Sequence, residues 1–164
     1  MLLNLFFNAA DAMSAGGDLF LKIMSEKEVE KVVKGVERVT KGTGTVLLVD
    51  DEEVILEVDK DLLEALGYRV IIARDGKEAI EVYRKDQEDI DFVLLDMVMP
   101  IMGGGEAYDR MKKIDPNIKV LLSSGYSIDG QATEILERGC NGFIQKPFRM
   151  NDLSEKIWEI LQEE

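Results

Sequence analysis

The feature that most constrains the fold is an alternation of short apolar runs with amphipathic segments, which begins near residue 45. The apolar runs, rich in Val, Ile and Leu, are 45–50, 68–73, 91–96, 118–123 and 141–146. Each is followed by a stretch whose apolar residues recur at helical spacing, with Asp75 placed as an N-cap and Gly67 and Gly139 as helix ends. Five strands that alternate with five helices predict an α/β fold whose parallel sheet is buried on both faces.

Polar residues stand where the predicted strands end. Asp50 and Asp51 follow the first strand, and Asp96 ends the third. Ser124 follows the fourth strand, and Lys146 ends the fifth. Because ligands bind outside the carboxyl ends of strands in such sheets, these side chains are expected to share one crevice. Clustered carboxylates need a cation and suit Mg²⁺, whereas the lysine and the hydroxyl suit an anion such as a phosphoryl group.

In this order and spacing, the strand-end residues resemble the receiver domains of two-component signalling over residues 46–164. The resemblance is carried by the acidic pair, by Asp96 in LLDMVMP, by Ser124 in SSGY, by Phe143, and by Lys146 before a proline. It implies a doubly wound, flavodoxin-like sheet of five parallel strands in the order 2-1-3-4-5, with helices on both faces. It also implies a phosphoacceptor that takes its phosphoryl group from a histidine kinase or a histidine phosphotransfer protein.

The resemblance assigns a role to each residue of the crevice. Asp96 would be the phosphoacceptor, and Lys146 would pair with the phosphoryl oxygens. The Mg²⁺ ion would be held by Asp51, Asp96 and the backbone carbonyl of Val98, with Asp50 acting through a water. The chain would then catalyse only its own Mg²⁺-dependent phosphorylation and dephosphorylation.

The same resemblance implies a conformational switch built from Ser124 and Phe143. The Ser124 hydroxyl would bond to the phosphoryl group and draw its loop inward, and Phe143 would move into the vacated space. Ser123 is the alternative switch residue, although the spacing and the following Gly125 favour Ser124. Receivers often carry Tyr where Phe143 stands.

Other interpretations of these residues remain open. Asp50 and Asp51 could cap the helix that is predicted near Glu52, and Phe143 could be an ordinary core aromatic. An aspartyl-phosphate hydrolase is a second function class, but it expects an Asp where Val98 stands. A third is an interaction module with a vestigial site that works without phosphorylation.

Within residues 1–40, only LLNLFFNAADAM and the following SAGGDLFLKI resemble the asparagine-containing N box of histidine-kinase ATP-binding domains, with Asn8 at the Mg²⁺-ATP position. Neither the glycine-rich nucleotide boxes nor any histidine is present, so ATP binding and kinase activity are not expected. This segment is predicted to be a truncated remnant of a hybrid histidine kinase, helical or partly disordered, joined by a linker at 41–45 to the receiver at 46–164.

Composition limits the partners. The net charge of −13 falls entirely on residues 46–164, so nucleic acid is not an expected partner. No run reaches the roughly 18 apolar residues of a membrane span, and a cytoplasmic protein without membrane contact is expected. The apolar LLNLFF stretch and the valines of residues 29–39 predict that the amino-terminal segment packs on a second copy, as in a homodimer, or stays partly disordered.

Overall fold

The described part of the chain, residues 41–125 and 130–162 of a computed structural model, alternates strands and helices as the sequence predicts. The elements are β1 (Thr45–Val49), α1 (Glu53–Ala65), β2 (Arg69–Ala73), α2 (Gly76–Asp86), β3 (Phe92–Asp96), α3 (Gly104–Ile114), β4 (Val120–Ser124), α4 (Gly130–Glu137), β5 (Gly142–Gln145) and α5 (Met150–Gln162). A short 3-10 turn, Gln87–Asp89, joins α2 to β3.

All five strands form one parallel sheet in the order β2-β1-β3-β4-β5, which confirms the predicted order. Parallel neighbours need crossover connections, and the helices between the strands supply them. The chain moves outward from β1 to β2, and β3 then lies on the other side of β1. The topological switch point, where such folds bind ligands, therefore lies between β1 and β3.

Each face of the sheet has its own apolar core. Alternate residues of β1 point to opposite faces, so Val46 and Leu48 pack in one cluster with α1 and α5. Leu47 and Val49 pack in the other cluster with α2, α3 and α4. This two-sided cover explains why the central strands are apolar at almost every position.

The edge strands differ from the prediction that all five strands are buried on both faces. Every residue of β1, β3 and β4 is buried, but β2 and β5 each have one fully buried residue, Ala73 and Ile144. An edge strand has a neighbouring strand on one side only, so the helices cover it less completely. The apolar character of 68–73 does not reveal this position.

The predicted helix signals are confirmed at three sites. Asp75 caps α2, because its side chain accepts hydrogen bonds from the backbone N–H groups of Lys77 at 2.7 Å and Glu78 at 2.8 Å. Gly67, after α1, has φ 99°, and Gly139, after α4, has φ 92°. Both values lie in the left-handed region that glycine adopts without strain.

The end of the predicted linker packs against the domain. The backbone N–H of Gly42 donates to the Leu66 carbonyl at 2.9 Å, and that of Arg69 donates to the Gly44 carbonyl at 2.8 Å. The predicted remnant at 1–40 and its homodimer contact lie outside the described residues. No helix among residues 41–125 and 130–162 is long and apolar enough to cross a bilayer.

Candidate functional site

The strand register brings the predicted site residues to one edge of the sheet. Asp96 pairs with Ser123 across β3 and β4, and Ser124 pairs with Gln145 across β4 and β5. Asp50 directly follows β1, the other neighbour of β3. The carboxyl ends of four strands therefore meet at the switch point of the sheet.

Lys146 joins the two buried carboxylates at this edge. Its Nζ donates to Oδ1 of Asp96 at 2.7 Å and also to Oδ2 of Asp50. The exposed fraction of the side chain is 15% for Lys146, 3% for Asp50 and 9% for Asp96. Charges this deeply buried are costly unless they are paired, so the three groups depend on one another.

Backbone N–H groups hold both carboxylates in place. Oδ1 of Asp50 accepts a hydrogen bond from the Glu52 N–H at 2.9 Å. Oδ2 of Asp96 accepts one from the Val98 N–H at 2.8 Å. Asp50 thus braces the turn that leads into α1 and pairs with Lys146, whereas the N-cap residue of α1 is Glu52 and no side-chain hydrogen bond caps this helix. The carboxylates are oriented by the main chain as well as by the lysine.

The pKa values in the crevice reflect burial first and charge second. Burial raises the pKa of Asp96, and the hydrogen bond and the charge of Lys146 counteract this only in part. Burial opposes the charged form of Lys146, yet hydrogen bonds to Asp50 and Asp96 raise its pKa above the usual value. Lys146 is therefore a fixed positive charge at neutral pH.

The donor set fits a hard divalent cation. Oxygens of Asp50 and Asp96 already converge on a single cationic group, the Lys146 ammonium, and carboxylate oxygens are the ligands that Mg²⁺ prefers. Asp51 follows in the chain and is exposed to solvent. Among residues 41–125 and 130–162, no three acidic side chains are grouped closely enough to hold a metal ion as they stand. Asp51 would have to turn toward the other two carboxylates.

The predicted switch residues occupy different environments. Ser124 is buried, and its carbonyl accepts a hydrogen bond of 2.7 Å from the Lys146 N–H, so the two residues are linked through the backbone. Ser123 is buried as well, at the position paired with Asp96. Phe143 is half-buried against the core on the α2, α3 and α4 side of the sheet. The switching roles of Ser124 and Phe143 stay predictions.

The loop that follows Asp96 approaches the strand closely. The N–H of Gly104 donates to the Met97 carbonyl at 3.0 Å. A Cβ atom at Gly104 would lie 2.3 Å from the Asp96 carbonyl oxygen, so only glycine fits here. Val98 projects from the same loop and is 61% exposed. The start of α3 therefore packs directly on the residue predicted to accept the phosphoryl group.

A cavity of about 600 Å³ opens beside Asp96 and Lys146. Its other walls are mainly apolar and come from α1, the loop after β3 and the segment between β5 and α5: Ile55, Val58, Leu62, Val98, Pro147 and Phe148. Lys146 and Pro147 are joined by a cis peptide bond. The cavity gives a second molecule access to Asp96 and Lys146.

Sequence reasoning missed one residue of this cavity, Asp59 in α1. Asp59 is only 6% exposed, and it lines the cavity together with Asp96 and Lys146. A signal was present, because Asp59 falls between Leu56 and Leu63 at helical spacing, in the stripe that faces the sheet. Acidic residues are rarely buried, so an acidic residue inside an apolar helical stripe indicates a functional or paired position.

Comparisons with known proteins identify the family of this chain. Residues 46–158 match the response regulator receiver domain family. The chain is 34% identical over 139 residues to the sensor kinase CckA of Brucella abortus, which covers 85% of this chain and 14% of that protein. It is 35% identical over 113 residues to the chemotaxis protein CheY of Thermotoga maritima, which covers 68% of this chain and 92% of that protein.

A solved structure is similar over the same region. The response regulator TrrA of Thermotoga maritima, in complex with Mg²⁺ and BeF, is 28% identical with a TM-score of 0.64, over 71% of this chain and 98% of that chain. The chain thus spans a small part of the sensor kinase but nearly all of CheY and TrrA. On the family match and these relatives, the chain belongs to the response regulator receiver domain family, the receivers of two-component phosphorelays.

Proposed function

We propose that this chain is a phosphoacceptor that takes a phosphoryl group from a phosphohistidine onto Asp96. The observation that carries the proposal is the Lys146 ammonium shared between Asp50 and Asp96 at the mouth of a cavity. A lysine so placed can leave one carboxylate for an incoming anion without leaving the crevice. The apolar walls of the cavity suit the docking of a donor protein.

The transfer needs an attacking oxygen and a place for new negative charge. A carboxylate oxygen of Asp96 forms a bond to phosphorus as the phosphorus–nitrogen bond of the donor breaks, and the released imidazole nitrogen keeps the electron pair and takes up a proton from water. The ammonium group of Lys146 moves toward the phosphoryl oxygens and pairs with them as a point charge. The N–H of Val98 keeps the second Asp96 oxygen oriented during the attack.

Mg²⁺ is the proposed cofactor. Asp50, Asp51, Asp96 and the Val98 carbonyl would hold it, and the bound ion would neutralise the carboxylates and the charge on the phosphoryl oxygens. The chemistry of the donor set and the Mg²⁺ complex of TrrA support this assignment.

The conformational change that follows phosphorylation is proposed to involve Ser124 and Phe143. The Ser124 hydroxyl would donate to a phosphoryl oxygen, and movement of its loop would let Phe143 turn further into the core. The backbone bond between Ser124 and Lys146 supports a coupled motion of the two residues. The half-buried position of Phe143 leaves room for movement in either direction.

A histidine kinase or a phosphotransfer protein is the proposed donor. We also propose that residues 1–40 are the remnant of a kinase ATP-binding domain, followed by a linker at 41–45 and the receiver at 46–164. The similarity to CckA supports this organisation, because its 139 aligned residues are more than residues 46–164 contain. CckA is a sensor kinase, which fits a phosphoryl donor within the same protein.

The decisive experiment is phosphorylation of an Asp96→Asn variant by a small acyl phosphate in Mg²⁺, followed by intact mass. We expect the parent and an Asp61→Asn control, which alters an exposed acid on α1, to gain one phosphoryl group, and Asp96→Asn to gain none. Full labelling of Asp96→Asn would contradict the assignment. If the parent itself is not labelled and its amide spectrum does not respond to Mg²⁺ with fluoroberyllate, the interaction module with a vestigial site is the better description.

A further inference from the structure

Asp59 is a buried acid that the proposed transfer does not use. It lies on the face of α1 that packs on the sheet, between the fully buried Leu56 and Leu63. An apolar side chain would fill such a position at lower cost, because an isolated carboxylate loses its hydration there. Its side chain lines the cavity beside Asp96 and Lys146.

The surroundings of Asp59 tie it to the phosphoacceptor crevice. The pKa of Asp59 is raised to about 6: burial is the largest cause, the charge of Lys146 opposes the rise, and the charges of Asp50 and Asp96 add to it. Within residues 41–125 and 130–162, no hydrogen bond or ion pair to the Asp59 carboxylate is formed. The exposed Glu52 is the remaining titratable group on the cavity wall.

The crevice therefore carries more negative charge than the single positive charge of Lys146 can offset. Asp50 and Asp96 share the Lys146 ammonium, whereas Asp59 adds a further negative charge without a direct partner among the described residues. Charges in a region of low dielectric act on one another more strongly than in water. A surplus of negative charge attracts a divalent cation and repels a phosphoryl group.

We propose that Asp59 sets the charge balance of the phosphoacceptor crevice, strengthening the binding of the divalent cation and weakening the binding of the phosphoryl group on Asp96. This inference rests on the proposed function. Asp59 acts through its charge and does not contact the reacting atoms, so it is a positioning residue. Its effect on the two ligands has opposite signs, and a purely structural role would not produce that signature.

The test uses the full chain at pH 7.5 and compares Asp59→Asn with Asp61→Asn. Both variants remove one negative charge from α1, but Asp61 is exposed and its charge is screened by water and salt. Amide chemical shifts are followed while Mg²⁺ is added, and then while fluoroberyllate is added at saturating Mg²⁺. For Asp59→Asn we expect the Mg²⁺ Kd to rise about threefold to tenfold, and the fluoroberyllate Kd to fall by a similar factor.

The outcomes separate this inference from the proposed function. Asp61→Asn should stay within about twofold of the parent for both ligands. A second variant, Asp59→Ser, is smaller and uncharged, and it has to shift the two affinities in the same directions as Asp59→Asn. If the parent binds both ligands but the Asp59 variants match it, or shift both affinities the same way, the inference is wrong and the proposed function stands. If the parent binds neither ligand, both are wrong.

Discussion

The Nζ atom of Lys146 lies 2.7 Å from Oδ1 of Asp96 and also donates to Oδ2 of Asp50. One ammonium thus pairs with two buried carboxylates, Asp96 at the end of β3 and Asp50 directly after β1, and offsets one of their two negative charges. Removing it leaves both acids unpaired in a region of low dielectric, which is more costly than the loss of an exposed ion pair.

Lys146→Met should therefore destabilise the fold by about 2–4 kcal/mol at pH 7 in EDTA. Addition of Mg²⁺ should restore part of this loss if the proposed site forms, because the bound metal would offset the charge of the same carboxylates. Urea unfolding with and without Mg²⁺ measures both effects. Lys85→Met, at a lysine whose side chain is 82% exposed, should change stability by less than about 0.5 kcal/mol. A Lys146→Met variant as stable as the parent in EDTA would show that the carboxylates do not depend on the lysine.

The stability of the fold should depend on pH through Asp59. The pKa of Asp59 is about 6 in the folded protein, above the ordinary value of 3.8. The folded protein therefore binds a proton on the Asp59 carboxyl group more tightly than the unfolded chain does. The stabilising contribution of the proton is complete below about pH 4 and is lost as pH rises through about 6. Asp59→Asn should therefore be more stable than the parent at pH 7.5, by up to about 3 kcal/mol in the absence of Mg²⁺.

The same variant should gain much less at pH 4, where the Asp59 of the parent is protonated as well. Urea unfolding at both pH values in EDTA gives the difference between the two proteins. A difference that is the same at both pH values would mean that the effect of the substitution is packing and not charge.

Ile101 has φ 69°, and the Met102 N–H donates to the Pro100 carbonyl at 2.7 Å across it. This is a γ-turn of the positive-φ kind, which is strained for a β-branched residue. Ile101 is 83% exposed, so its side chain contributes little burial. Ile101→Asn should stabilise the fold by about 0.5–1 kcal/mol, because asparagine is found at positive φ more often than a β-branched residue, for which such a φ is an outlier. Urea unfolding of the variant and the parent measures the gain.

Ile101→Val is the matched control, since valine keeps the β-branch and with it the strain. Its free energy of unfolding should be close to that of the parent. Equal stability of the Asn and Val variants would show that the turn is not strained by the β-branched residue.

Gly104→Ala should destabilise the fold by about 1–3 kcal/mol, because the new Cβ would lie 2.3 Å from the Asp96 carbonyl oxygen. It should also shift the amide resonances of residues 96–98, since α3 has to move away from the strand end. Gly105→Ala is the control: its Cβ would meet only the flexible end of Ile135 at 3.2 Å, and alanine favours the helix. A neutral Gly104→Ala variant would rule out the close approach.

Val98→Asn should shorten the lifetime of the phosphorylated state by on the order of tenfold, because an amide can orient a water toward the phosphoryl group and valine cannot. Val98 lines the cavity beside Asp96 and is 61% exposed, so the substitution should fold normally. The decay of intact-mass signal after removal of the donor measures the lifetime. Val54→Asn, at a valine that is 70% exposed on α1, should decay like the parent.

The order of the elements and the residues at the strand ends could be predicted from the amino-acid pattern. Apolar runs of five or six residues have the length of buried strands, and parallel connections place all their carboxyl ends on one side. This is why Asp96, Ser124 and Lys146 could be assigned to one crevice from the sequence. The observed β3 and β4 differ from the predicted ranges by at most two residues.

The packing of the folded chain alone decides which of those residues form hydrogen bonds with one another. It also decides which further groups, such as Asp59, lie beside them. Lys146 meets Asp50 across 96 positions of the chain, and no local pattern encodes a hydrogen bond over that separation. The burial of Asp59 and the exposure of the edge strand β2 depend on which elements cover them, and that follows from the order of strands in the sheet. Periodicity reports which side of an element is apolar, whereas charge balance in a crevice depends on distances between elements that only packing sets.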